Sequence, residues 1–345
     1  MIFFYLLILL IFILFINTLL LKKNILVNET GDVHQKFATK SRVPLTGGIF
    51  IFLGSFYFLN DGFYHFIFFL FLILILGVLS DLKLIKSAKK KLLLQIIFIL
   101  FYTIFNDVQI SDTRIIFLDT ILKNDYINYF FVTFCILIII NGSNFIDGMN
   151  TLCIGYYLLI ISIIYYLQLN DVIIIKNVLV FYVLIIILLT FTLNLINRFF
   201  LGDSGAYLLG FGFSILLISI YKWNPYISPY FIILLLWYPS YENLFSIFRK
   251  NIINRSAMYP DAKHIHQLIF FYIKKKSKLN ALVANTLTGL VINLYNLLIF
   301  FIGLNFTSDS KIQILLIMIN IMIYSLTYLK FFNFRYKKNL SIVNK

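Results

Sequence analysis

Apolar runs of 14 to 24 residues, separated by short polar breaks, repeat along the whole chain. A helix that crosses a bilayer needs about 17–25 mostly apolar residues. Runs of this length, without apolar/polar alternation, predict helices rather than barrel strands. Eleven spans are predicted, at 2–21, 47–60, 63–79, 91–106, 127–140, 151–168, 172–194, 204–221, 226–247, 281–304 and 312–331. The second is short. It predicts a tilted helix, or a helix paired with the third span through the Asn60-Asp61-Gly62 turn. The first lacks a basic start and a small-residue cleavage site, so it reads as a span and not as a signal peptide.

Composition fits this pattern. The 345 residues are 61% hydrophobic and only 12% charged, against about 25% charged in soluble domains. The predicted fold class is an all-α polytopic membrane protein, a single domain over 1–345 with no Pro/Ser-rich linker. Cys135 and Cys153 lie in or beside spans and read as small core residues.

A net charge of +15 raises nucleic acid as a partner, but the distribution argues against it. Of 29 Lys and Arg residues, 24 fall in the segments 22–46, 80–91, 195–203 and 248–280 or after residue 329. Together with 141–150, these are alternate breaks, so they share one side. The positive-inside rule makes that side cytoplasmic. Eleven spans then leave the N-terminus outside and the C-terminus in the cytoplasm. The outer segment 107–126 carries Asp107, Asp112, Asp119 and Asp125 and reads as a solvated acidic loop.

The cytoplasmic breaks hold the candidate chemistry. Asn141 to Asn150 is a polar island with two glycines between apolar runs, expensive unless it serves a function. Asp81, Asp147 and Asp203 each stand at a span end on this one side. A lone Asp there reads first as a solvated cap, and Gly202-Asp203-Ser204-Gly205 as an N-cap. Three carboxylates at one depth also suit Mg²⁺, which binds one or two carboxylates plus substrate phosphates. Loop 248–280 is the most basic, and its Lys274–Lys278 run suits anionic lipid. His264-Ile265-His266 has no Cys or third His to complete a zinc site.

Taken in order, five motifs resemble the bacterial polyprenyl-phosphate N-acetylhexosamine-1-phosphate transferases, glycosyltransferase family 4. They span about residues 28–270. Pro44-Leu45-Thr46-Gly47-Gly48 resembles Pro-x-x-Gly-Gly. Ser80-Asp81-Leu82-Lys83 with Lys91-Leu92-Leu93-Leu94-Gln95 resembles an acidic pair followed by Lys-Leu-x-x-Gln. Asn141, Asn144, Asp147 and Gly148 fit Asn-x-x-Asn-x-x-Asp-Gly. Arg198 with Leu201 to Gly205, and then His264-Ile265-His266, complete the set.

The resemblance implies transfer of an N-acetylhexosamine-1-phosphate from a UDP-sugar to polyprenyl phosphate, with release of UMP. It implies Mg²⁺ or Mn²⁺ as cofactor, a bacterial inner-membrane location, a cytoplasmic site and a homodimer. It makes Asp203 and Asn144 metal ligands and places Asp147 beside the metal and nucleotide. Asp81 is expected near the lipid phosphate. Lys83, Lys91, Asn141, Arg198, His264 and His266 are expected to bind substrate. The motif starting at Asn141 and the His-x-His resemble the branch that initiates O-antigen, capsule or teichoic-acid-type glycans. Two acids usual in the family are absent, replaced by Ser80 and Asn150. A transporter, or an inactive member serving as an assembly partner, are the rival readings. A transporter predicts polar residues at mid-bilayer and on both faces.

Overall fold

The computed structural model describes residues 2–28, 42–56, 62–175, 177–252, 254, 256 and 261–343. Within them the regular structure is α-helical, apart from one isolated bridge between Val27 and Pro44. The helices are α1 (Ile2–Lys23), α2 (Gly47–Ser55), α3 (Tyr64–Asp81), α4 (Ala88–Phe105), α5 (Ile116–Leu122), α6 (Asp125–Ile146) and α7 (Leu152–Leu169). They continue with α8 (Asn177–Leu195), α9 (Gly202–Trp223), α10 (Pro229–Leu235), α11 (Trp237–Ile252), α12 (Ile265–Ser277), α13 (Ala281–Leu304) and α14 (Ser310–Val343).

Each predicted span falls on one helix, except 226–247, which is the pair α10–α11 bent by 73°. Pro239 explains the bend. It has no N–H for the Leu235 carbonyl and cannot continue the helical ladder. Tyr156 of α7 donates its hydroxyl to that carbonyl at 2.8 Å instead.

Seven described helices are long and apolar enough to cross a membrane, and the bent pair makes eight. The other predicted spans fall short by that measure for visible reasons. α8 is shorter in its apolar part, and α4 opens on Lys89, Lys90 and Lys91. α2 has nine residues, about 13.5 Å at 1.5 Å per residue. Residues 57–60 of that predicted span, and Asn60 and Asp61 of the predicted turn, lie outside the described residues. So do Lys36, Lys40, Arg255 and Lys345 among the basic residues counted above.

α9 is the central helix, packed by α2, α3 and α6. Small residues allow its backbone to be approached closely. A Cβ on Gly48 would lie 2.5 Å from Gly205 N, and one on Gly77 would overlap Ser204 Cα. On the other side of α6, a Cβ on Gly142 would overlap the Pro239 carbonyl. These contacts hold the end of α9 that bears Asp203 between α2 and α3. α14 is 34 residues long, and its far end packs on α12, with Tyr272 and Phe331 rings 4.9 Å apart. Arg335 there donates to the Ala262 carbonyl at 2.9 Å.

Candidate active site

The first four N–H groups of a helix have no partner within it. At α9 the preceding Leu201 offers no side-chain cap, and Gly202 takes a left-handed φ of +69°. The partner comes from α3. Asp81 accepts from Asp203 N at 2.8 Å on one oxygen and from Ser204 N at 3.1 Å on the other. A carboxylate at this position also meets the positive end of the helix dipole. Gly77 lies one turn before Asp81 on the same face of α3. The glycine admits α9 and the aspartate caps it. The Gly-Asp-Ser-Gly run is thus capped by Asp81 and not, as an N-cap reading expects, by its own side chains.

The Asp203 carboxylate gathers groups from three other helix ends. Asn144 Nδ2 of α6 donates to one oxygen at 2.7 Å. The other oxygen accepts from the Ser80 hydroxyl of α3 and from Lys91 Nζ of α4 at 3.3 Å. Tyr207, one turn along α9, adds its hydroxyl at 3.5 Å. Lys91 and Gln95 are four residues apart and share a face of α4. Gln95 Oε1 accepts from Asn141 Nδ2 at 3.1 Å, which ties the same faces of α4 and α6 together. Asp147 follows α6 directly. Burial, then the nearby Asp203 and Asp81 charges, push its carboxyl well above the usual carboxylate range.

A second cluster surrounds the histidines. His264 Nδ1 and Glu242 Oε1 are 2.8 Å apart, and Tyr324 donates to Glu242 Oε2 at 2.7 Å. His264 Nε2 lies 3.6 Å from Asp261 Oδ1, and Arg249 grips Asp261 with two bonds at 2.8 and 3.2 Å. The His264 and His266 rings stack at 5.5 Å. His266 is fully buried, and neither of its nitrogens has a hydrogen-bond partner among the described residues. Burial pulls its imidazole down to about 3, so it is neutral at physiological pH. Gly148 leaves room for it, since a Cβ there would lie 2.7 Å from His266 Nε2.

Asn150 is a structural joint as well as a cleft residue. Its N–H donates to Asn285 Oδ1 at 2.7 Å and its Nδ2 to Asn197 Oδ1 at 2.6 Å. An aspartate here would lack the donor that Asn197 accepts.

Both clusters line one cleft of about 830 Å³. Of the residues expected from sequence, Asp81, Lys91, Asn141, Asn144, Asp147, Asp203, His264 and His266 all line it. Lys83 and Arg198 do not join them; both are exposed outside the lining. Lys86, Lys250, Gln267 and Asn285 also line the cleft. The first two appear in the sequence only as part of the basic loops. Among the described residues, no group of three His, Cys, Asp or Glu side chains is placed to hold a metal ion. The oxygens of Asp203, Asn144 and Asp147 suit a hard cation whose remaining ligands are substrate phosphates and water.

Residues 63–221 match the family model of Glycosyl transferase family 4. A Bacillus subtilis (strain 168) protein named "Probable undecaprenyl-phosphate N-acetylglucosaminyl 1-phosphate transferase" is 27% identical over 202 residues. The alignment covers 57% of this chain and 55% of that protein. The chain thus spans about half the length of the curated relative it matches. The family match includes Asp81, Asn144, Asp147 and Asp203 and ends before the histidine cluster.

Proposed function

Residues 63–221 match glycosyl transferase family 4, and from that match we propose that the chain transfers an N-acetylhexosamine-1-phosphate from a UDP-sugar to undecaprenyl or a related polyprenyl phosphate. One observation carries this reading. Four helix ends bring Ser80, Lys91, Asn144 and Asp203 together in a cleft that also holds Asp81 and Asp147. Two phosphorylated reactants repel each other, so catalysis is mainly positioning and charge neutralisation.

In this reading an oxygen of the lipid phosphate attacks the β-phosphorus of the UDP-sugar. The bond from that phosphorus to the UMP oxygen breaks, and UMP leaves. Asp203 and Asn144, with Asp147 beside them, would hold Mg²⁺ or Mn²⁺. The metal ion, when bound, neutralises diphosphate charge. Lys91 adds a fixed positive charge at the same carboxylate. Asp81 keeps the α9 terminus, and with it Asp203, in place. The lipid phosphate is already anionic near neutral pH, so no strong base is required. The neutral His266 offers one donor and one acceptor to the sugar or diphosphate.

In the eleven-span topology expected from the sequence, the helix ends around the cleft would face the cytoplasm at a bacterial inner membrane, where UDP-sugar is available. The product would initiate a cell-envelope glycan of O-antigen, capsule or teichoic-acid type. The name of the relative makes UDP-N-acetylglucosamine the first donor to try. The test is purified protein with undecaprenyl phosphate, Mg²⁺ and a panel of UDP-N-acetylhexosamines, scored for UMP. UMP release with one donor is expected. Folded protein that releases none with any donor overturns the proposal.

A further inference from the structure

Glu242 is 1% exposed and sits in α11 away from the cleft lining. A buried carboxylate costs several kcal/mol unless its oxygens are well bonded. Both oxygens are used here, one by His264 Nδ1 and the other by the Tyr324 hydroxyl. The three residues come from α11, the loop ahead of α12, and α14. His264 does line the cleft. Its ring is flanked by the Phe145 ring at 5.1 Å and by the His266 ring at 5.5 Å. A carboxylate can only accept, so the Nδ1 facing Glu242 must carry the hydrogen. Nε2 is then the nitrogen left for other contacts. Asp261 Oδ1 is 3.6 Å from it, beyond a good hydrogen bond.

We propose that Glu242, held by Tyr324, is a positioning residue that fixes the tautomer and ring plane of His264 and presents its Nε2 to the substrate in the cleft. In the transferase reading, on which this role rests, that nitrogen accepts a hydrogen bond from a hydroxyl or the acetamido N–H of the donor sugar. Glu242 touches no substrate and acts through the imidazole, as partners of metal-bound histidines do. A purely structural bridge among three helices would stabilise the fold equally well. It would fix the same tautomer, but its loss would lower the melting temperature without a selective fall in kcat.

The test uses full-length protein with ¹⁵N-labelled histidine. The chain has four histidines, so a His264→Asn variant assigns the signal. Wild-type protein is expected to show His264 protonated at Nδ1. Glu242→Gln should redistribute that tautomer and lower kcat for UMP release about 10–100-fold, with little change in KM for the UDP-sugar. Glu242→Asp should recover part of the rate. Tyr324→Phe removes one hydroxyl with little change of shape and should lower kcat about 3–10-fold. An unchanged His264 spectrum in both Glu242→Gln and Tyr324→Phe overturns the proposal, even where melting temperature or rate falls. Should wild-type protein release no UMP, the transferase reading fails, and the histidine spectra still decide whether Glu242 and Tyr324 set the His264 tautomer.

Discussion

Asp203 and His266 line the same cleft, yet the fold treats their polar atoms in opposite ways. Asp203 receives hydrogen bonds from Asn144, Ser80 and Lys91, and its own backbone N–H is capped by Asp81. His266 is buried more deeply and has no partner among the described residues. The carboxylate cluster is finished by folding, which suits groups that must hold charge without reorganising. The histidine carries an unmet hydrogen-bonding demand, which costs about 1–3 kcal/mol. Such local violations are expected where a ligand completes the structure. Folding energy and binding energy therefore enter one cleft at different places.

The largest effect expected from breaking this contrast is at its charged end. Asp203→Asn should lower UMP release by about 10³-fold while the protein stays monodisperse in detergent, since Asp81 still caps the backbone. Near-normal UMP release by that variant would falsify the metal-ligand assignment. Gly77→Ala comes next. Its methyl overlaps Ser204, so α3 must move and carry Asp81 with it. A destabilisation of about 1–3 kcal/mol should appear as a lower melting temperature, together with a rate loss. Unchanged melting would mean that α3 and α9 are not in contact.

His266→Leu should act in the other sense. Without the unpartnered nitrogens the apo protein should melt higher, while affinity for UDP-sugar, measured by calorimetry, falls about tenfold. The pH dependence has a definite sign. His266 has a folded value of about 3, below its ordinary 6.5. The unfolded chain takes up its proton first, so wild-type stability should decline as pH falls from 6.5 toward 3. The leucine variant should lack that part of the decline. Parallel pH-stability curves would remove the contrast with Asp203. Ser80→Ala should have the smallest effect. It deletes one of several donors to Asp203, so a rate loss of about tenfold or less is expected. A larger loss would give Ser80 a role beyond that hydrogen bond.

Much of this site was legible from the chain because its residues fall at the ends of apolar runs. Helices that cross the same layer must end at the same depth, and that depth collected Asp81, Asn144, Asp147 and Asp203. What sequence could not give was the direction of a side chain beyond the end of a helix. Lys83 has a φ of 59° and Asn197, just before Arg198, has one of 58°. Both turns reverse the chain, and Lys83 and Arg198 end exposed. The break in 226–247 was present as Pro239, but its cost depends on Tyr156, which a span count does not see. Glu242 falls inside the predicted span 226–247, a rare place for an acid. Its partner Tyr324 is 82 residues away, and no local pattern connects them. Ser80, read as a lost acid, is a hydroxyl donor to Asp203.

The cap that Asp81 places on α9 joins residues 122 positions apart in the chain. In a protein made from its N-terminus and inserted helix by helix, Asp81 enters the membrane long before α9 exists. Until α9 arrives, Lys91 and Asn144 lack the Asp203 carboxylate that they meet in the folded protein. Under the proposed function, a stalled or truncated translation product ending before residue 203 would therefore be inert toward UDP-sugar.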